Sequence, residues 1–194
     1  MARPSAAAAG LLACAVLLLC SPAKSAAILF DFPSFPFIAI FPGIFPLGYV
    51  QPPPVRIYSR QNTGLNMAVR DGKVVLVTAT SGDAKQLWWK IPAPTSVGYG
   101  YWLVNVATRQ AMTSPPAYGP MQVQLADFNP FINGKQSLWV PTAPLDGVFY
   151  QIKPYTQYSK ALNGLGGYAY DGTVIGIYSD TPASPNTLWV TSSD

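Results

Sequence analysis

Leu87-Trp88-Trp89, Leu138-Trp139-Val140 and Leu188-Trp189-Val190 set a leucine-tryptophan pair at three points of a 194-residue chain, with the tryptophans 51 and 50 residues apart. A near-constant period of this length marks an internal repeat. Each unit ends in a large aromatic, so three equivalent units predict a threefold body whose tryptophans meet inside. Their identical placement assigns Trp88, Trp139 and Trp189 to core packing rather than to a ligand. Function is therefore expected in repeated surface pockets, not in one extended catalytic constellation.

The residues between the tryptophans set the secondary structure of each unit. Lys73-Val74-Val75-Leu76-Val77-Thr78 follows Asp71-Gly72, Gln122-Val123-Gln124-Leu125 follows Gly119-Pro120, and Thr173-Val174-Ile175-Gly176-Ile177-Tyr178 follows Asp171-Gly172. Short β-branched and aromatic runs bounded by turn formers read as strands joined by hairpins. Asp71-Gly72, Asp146-Gly147 and Asp171-Gly172 read as the hairpin turns. No stretch longer than a turn shows an apolar period of 3.6 residues. Leu76, Leu125 and Ile177 stand 12, 14 and 12 residues before their tryptophans. A unit of about 50 residues holds roughly four strands at the usual spacing. Three units make one all-β domain over residues 55–194.

Ahead of that domain the composition changes twice. The chain has two cysteines, Cys14 and Cys20, and both lie in a segment with the layout of a secretory signal. Arg3 gives the positive start, Gly10 to Cys20 the short apolar run, and Ala23-Lys24-Ser25 the small-residue cleavage site. The apolar run is shorter than the about 20 residues a bilayer span needs. Residues 1–25 are therefore expected to be a signal peptide, and the protein to be secreted to the apoplast or cell wall. Residues 26–54 hold Phe32-Pro33, Phe35-Pro36-Phe37, Phe41-Pro42, Phe45-Pro46 and Pro52-Pro53-Pro54. Proline removes backbone donors, so this segment is neither a regular helix nor a central strand. It reads as an extended segment whose phenylalanines dock on the body or a partner, or as an apolar tail.

Composition narrows the chemistry. The chain has no His and no Glu, and removing Arg3 and Lys24 from the formal net charge of +4 leaves +2. The remaining basic residues form no run, so no nucleic-acid footprint is expected. A general base, a mature thiol nucleophile and His or Cys metal ligands are all missing, which predicts a non-enzyme with no cofactor or metal. No Asn-x-Ser/Thr acceptor is present.

Gln86-Leu87-Trp88 matches the Gln-x-Trp signature of ricin-B-type β-trefoil lectins, and the same position carries Ser137 and Thr187 in the other units. The chain resembles one plant branch of that superfamily more closely, the Euonymus-lectin-type domain. Carrying the likeness are Val55-Arg56-Ile57, Ala68 through Leu76, Trp102 through Ala111, Val123-Gln124-Leu125 with Asn129-Pro130, Leu162-Asn163, and Asp171-Gly172-Thr173 through Trp189. The resemblance covers residues 55–194 and implies a β-trefoil that binds carbohydrate without catalysis. Members of that branch usually lack a signal peptide, and the Phe/Pro segment is also unlike them. Kunitz-type inhibitors, another secreted trefoil class, carry disulfides that this chain lacks.

A pyranose needs an aromatic face to stack on and paired acceptors and donors for vicinal hydroxyls. The resemblance implies an early Asp, an aromatic after the middle strand, and an Asn-Gln pair before the Trp. In the first unit these positions are Ala68 and Val77, leaving Gln86 alone. In the second, Ala126 holds the aromatic position beside Asp127 and Phe128. The third keeps Tyr178 for stacking and Asn186 for hydrogen bonding, with Leu165 at the Asp position, Asp180 or Asp171 as substitute carboxylates and Thr187 at the glutamine position. The expected partners are glycans or glycoproteins, with no transmembrane span in the mature chain. The alternative is a degenerate trefoil acting as a protein-interaction module through its Phe/Pro segment or its tyrosines Tyr155, Tyr158, Tyr168 and Tyr170.

Overall fold

The structure is a computed structural model that describes residues 51–119, 121–129 and 132–193. The signal segment expected over 1–25 and nearly all of the Phe/Pro segment expected over 26–54 lie outside the described residues.

Among the described residues, twelve strands fall into three sets of four. The first set is β1 (Val55–Ser59), β2 (Leu65–Arg70), β3 (Lys73–Thr78) and β4 (Trp88–Pro92). The second is β5 (Tyr101–Asn105), β6 (Gln110–Thr113), β7 (Gln124–Asp127) and β8 (Leu138–Pro141). The third is β9 (Ile152–Pro154), β10 (Lys160–Gly164), β11 (Ile175–Ser179) and β12 (Trp189–Ser193). Among the described residues, helical structure is confined to single 3-10 turns at Ala84–Gln86, Tyr155–Gln157 and Pro185–Thr187.

The outer strands of each set form a barrel. β1 pairs with β12 and β4, β4 with β5, β5 with β8, and β8 with β9, all antiparallel. The ring closes where Tyr150 and Trp189 exchange both backbone hydrogen bonds, at 3.0 and 2.9 Å. Closure removes the exposed edges that an open sheet of this size would carry. The inner strands pair as β2–β3, β6–β7 and β10–β11 hairpins. They touch one another through the Val75–Val174 and Gln122–Gly176 bridges and cap one end of the barrel. This is a β-trefoil.

Side chains alternate across a strand, and the inward set repeats in threes. Ile57, Leu103 and Ile152 from the first strands meet Trp88, Trp139 and Trp189 from the fourth, all fully buried. The hairpins add Met67, Met112 and Leu162, then Val74, Val123 and Ile175. A buried indole must place its N–H on an acceptor. Trp88 Nε1 donates to Met67 O at 3.0 Å, Trp139 Nε1 to Met112 O at 2.9 Å, and Trp189 Nε1 to Leu162 O at 3.0 Å. The three tryptophans thus each tie a barrel strand to the hairpin of their own repeat. At the opposite mouth, Lys90 lies over the rings of Tyr101 and Tyr150. Burial pushes the Tyr101 phenol well above its usual range, so it stays protonated.

The turns agree with the sequence in two places of three. Asp71 and Gly72 both take positive φ, 52° and 71°, and form the two-residue turn between Arg70 and Lys73. Asp146 bridges Phe149 across Gly147-Val148. Asp171-Gly172, however, lies inside the connection that runs from Gly164 to Ile175, not in a tight hairpin. Strand β11 accordingly begins at Ile175 rather than Thr173, whose hydroxyl accepts from Tyr170 N and donates to Tyr168 O. Strand β7 begins at Gln124, two residues later than its sequence run.

Candidate functional site

Because each indole bond marks an equivalent carbonyl, the residues after Met67, Met112 and Leu162 correspond. They are Ala68, Thr113 and Asn163, and they lie opposite Val75, Gln124 and Gly176 respectively. Two residues beyond those partners come Val77, Ala126 and Tyr178. This frame compares the same surface in all three repeats.

In the first repeat the surface is filled. Ala68, Val75 and Val77 are buried together, with Val174 of the third repeat packed on them. In the second repeat, Thr113, Gln124 and Ala126 line a groove of about 400 Å³ with Pro115, Asn133 and Gln136, and among the described residues no aromatic side chain lines it. Phe128 turns away to stack edge-on against Trp102, with ring centroids 5.2 Å apart. In the third repeat, Tyr178, Asn163 and Asn186 line a groove of about 470 Å³ with Leu165, Met121 and Pro182. That volume lies within the roughly 300–1,000 Å³ of small-molecule clefts.

The third groove is held open by its backbone. A Cβ on Gly176 would come within 2.6 Å of Met121 O and 2.7 Å of Leu165 Cδ1. Only glycine lets Leu165 fold over the sheet here. Tyr178 stands 55% exposed on β11, with its ring available to stack. Asn186, on the Pro185–Thr187 turn, donates to Asn163 Oδ1 at 3.1 Å and Gly164 O at 3.2 Å, while its Oδ1 accepts from Ser184 Oγ at 2.6 Å. The turn thereby docks onto β10.

The structure brings together Tyr178 and Asn186 but not the other three candidates. Thr187 is 1% exposed; its hydroxyl donates to Ser184 O at 2.8 Å and accepts from Ser184 N, closing the turn. Asp171 pairs with Arg70 at 2.7 Å and accepts from Thr78 N at 3.1 Å. Asp180 pairs with Lys153 and accepts from the Thr181 hydroxyl. Neither carboxylate lines the groove. The position assigned to an early Asp is also corrected: the counterpart of Ala68 is Asn163, not Leu165. The signal that finds Asn163 is its place one residue after the carbonyl that accepts the tryptophan indole.

Gln86, the signature glutamine, is equally far from a ligand role. It is buried, and its Oε1 accepts from Arg56 Nη1 at 2.6 Å, Asn66 Nδ2 at 3.1 Å and Thr80 N at 2.9 Å. Its Nε2 donates to Thr78 O and Asp83 Oδ2. Ser137 and Thr187 occupy the same place and are equally buried. Gln86 and Thr187 anchor their repeats through these bonds, whereas the Ser137 hydroxyl has no hydrogen-bond partner among the described residues.

The two paired carboxylates carry a pH dependence. The Lys153 ammonium holds the Asp180 carboxyl below its usual value, and the Arg70 guanidinium with Thr78 N does the same for Asp171. A lowered folded-state value adds stability that is present above the unfolded carboxylate range of about 4 and lost as pH falls through the folded value. The Lys153–Asp180 pair is the more enclosed, with side chains 13% and 16% exposed, so it is screened less. Melting temperature is expected to fall below about pH 4, and Lys153→Met to flatten that acid limb in thermal unfolding scans. Among the described residues, no group of three His, Cys, Asp or Glu lies where it would hold a metal ion, and no helix is long and apolar enough to cross a membrane.

The comparisons with known proteins agree with this fold. The chain is 29% identical over 128 residues to a ricin B-like lectin of Oryza sativa subsp. japonica, covering 63% of this chain and 62% of that relative's length. No protein-family model matches. Among solved structures, the designed 3-fold symmetric protein ThreeFoil superimposes with a TM-score of 0.59 at 18% identity, over 71% of this chain and 96% of that one. The C-half of the earthworm R-type lectin, solved in complex with GalNAc, superimposes with a TM-score of 0.56 at 14% identity, over 74% and 100%. The fold is that of the β-trefoil lectins. In sequence the chain is similar to the ricin-B-like group.

Proposed function

We propose that this chain is a secreted, non-catalytic glycan-binding protein that uses the groove of its third repeat. One observation carries the reading: an exposed tyrosine ring stands over an uncharged groove floored by the hydrogen-bonded Asn163–Asn186 pair. An apolar sugar face stacks on the ring, and the amides meet its polar groups. The likeness to a ricin B-like lectin supports it, as does the N-terminal signal pattern for secretion. Asp180, Asp171 and Thr187 act behind the site, holding strands and turns rather than meeting the sugar.

A glycan array on the purified chain tests this. Binding is expected, and Tyr178→Ala and Asn186→Ala are each expected to weaken it by about tenfold or more, since one good contact is worth about 1.4 kcal/mol. An array with no bound glycan overturns the reading, and so does binding that survives both substitutions. The exposure of Tyr155, Tyr158, Tyr168 and Tyr170 would then favour the interaction module.

A further inference from the structure

We propose that the Phe/Pro segment is held on the open mouth of the barrel by an ion pair between Asp31 and Lys90. In the barrel register, Val55 stands opposite Trp88, Tyr101 opposite Trp139, and Tyr150 opposite Trp189. The three positions therefore correspond, and they line the mouth at the end away from the hairpins. Two of them carry tyrosine rings. The first repeat offers only the short side chain of Val55, packed partly buried on the core. The mouth is thus least filled on the side from which the chain of residues 26–54 joins it.

Lys90 reaches into that layer. Its ammonium lies 4.4 Å from the centroid of the Tyr101 ring and 5.9 Å from that of Tyr150, and the residue is half-buried. Aromatic faces attract a cation without neutralising it, and a partly desolvated charge is costly without a counter-ion. Among the described residues the ion pairs are Arg60–Asp146, Arg70–Asp171 and Lys153–Asp180, so Lys90 is left without a carboxylate. Asp31 is the one charged residue of 26–54. It stands 24 residues before Val55, a reach of up to about 80 Å when extended, and the whole mouth lies within that range. The two connections on the rim, 93–100 and 142–149, expose Tyr99, Leu145 and Val148. They offer apolar surface to the phenylalanines that flank Asp31, and covering it favours docking. The third-repeat groove is carried on the hairpins at the other end, so this contact is independent of glycan binding.

Chymotrypsin cleavage after Phe37, which is followed by Ile38 rather than proline, tests this on the whole protein. Cleavage there tracks the fraction of molecules with the segment released, and mass spectrometry of the fragments reads its rate. Asp31→Lys and Lys90→Asp are each expected to speed it about fivefold, the size of one ion pair. The double exchange, Asp31→Lys with Lys90→Asp, is expected to restore the natural rate. Single exchanges without effect, or a double exchange as fast as the singles, overturn the inference. Protection that is lost on dilution assigns the mouth to the segment of a second copy and overturns it as well. Should Lys90→Asp fail to fold, Lys90→Met takes its place. Asp31→Asn is then expected to speed cleavage in the natural chain and to have no further effect when combined with Lys90→Met. An equal effect in both backgrounds overturns the pairing.

Discussion

Trp189→Ala is expected to lower the unfolding free energy by roughly 3–5 kcal/mol, the range for removing a fully buried large aromatic. Trp189 is fully buried at the meeting of all three repeats, and its backbone pairs with Ser59 on one side and Tyr150 on the other. Truncation leaves a void that rigid barrel strands refill poorly, and strands Leu162 O without its donor. Domains of this size have only about 5–15 kcal/mol to lose. Urea unfolding followed by far-UV circular dichroism measures the change. A sharper comparison uses Trp→Phe, which keeps most of the apolar contact and removes the indole hydrogen bond. Because Trp88, Trp139 and Trp189 make the same bond at 2.9–3.0 Å, the three replacements are expected to cost similar amounts, about 1–3 kcal/mol each. One tryptophan replaced without cost contradicts their equivalence.

Gln86→Ala is expected to be the second most damaging change, by roughly 2–4 kcal/mol, because buried groups that lose a partner cost about 1–3 kcal/mol each. Its Oε1 is the acceptor for three donors, drawn from β1, β2 and the loop following β3. Gln86→Glu separates roles: it keeps the acceptor beside the Arg56 guanidinium but loses the Nε2 donation to Thr78 O. It is expected to lie between alanine and the natural residue in melting temperature. Glycan binding by Gln86→Glu is expected to be unchanged, since the third-repeat groove contains no part of this network. A folded Gln86→Ala chain with unaltered stability contradicts the anchor assignment.

The fold was legible because three signals agree in the sequence. The tryptophans repeat, the strands alternate, and Asp71-Gly72 is a turn that needs two positive φ values. The site was less legible, for a reason of chain length. The tryptophan sits 21 residues after its carbonyl partner in the first repeat and 27 after it in the other two. The first hairpin turns in two residues, while β10 and β11 are joined by a long connection between Gly164 and Ile175. Counting along the chain cannot say where the extra residues go, so spacing alone points to Leu165 where the strand register sets Asn163 opposite Gly176. Gln86 misled for a different reason. Its short signature suggests a ligand contact, but its use is set by Arg56, 30 residues earlier, and no local pattern reports that. Tyr178 and Asn186 are legible as neighbours in one groove because their distances from Trp189 are unaltered by the long connection.

The pairing of Val55 with Ser193 places the first and last strands side by side, as near as any two consecutive ones. Topologically the twelve strands form a loop rather than a line, and the point at which the polypeptide is interrupted is arbitrary with respect to the contacts that hold it. Mechanical tension applied at Val55 and Ser193, which face each other at one end of the antiparallel β1–β12 ladder, would unzip its five residue pairs one after another. A trefoil of this kind opens first along that seam, while its grooves, carried on the hairpins, stay outside the line of force.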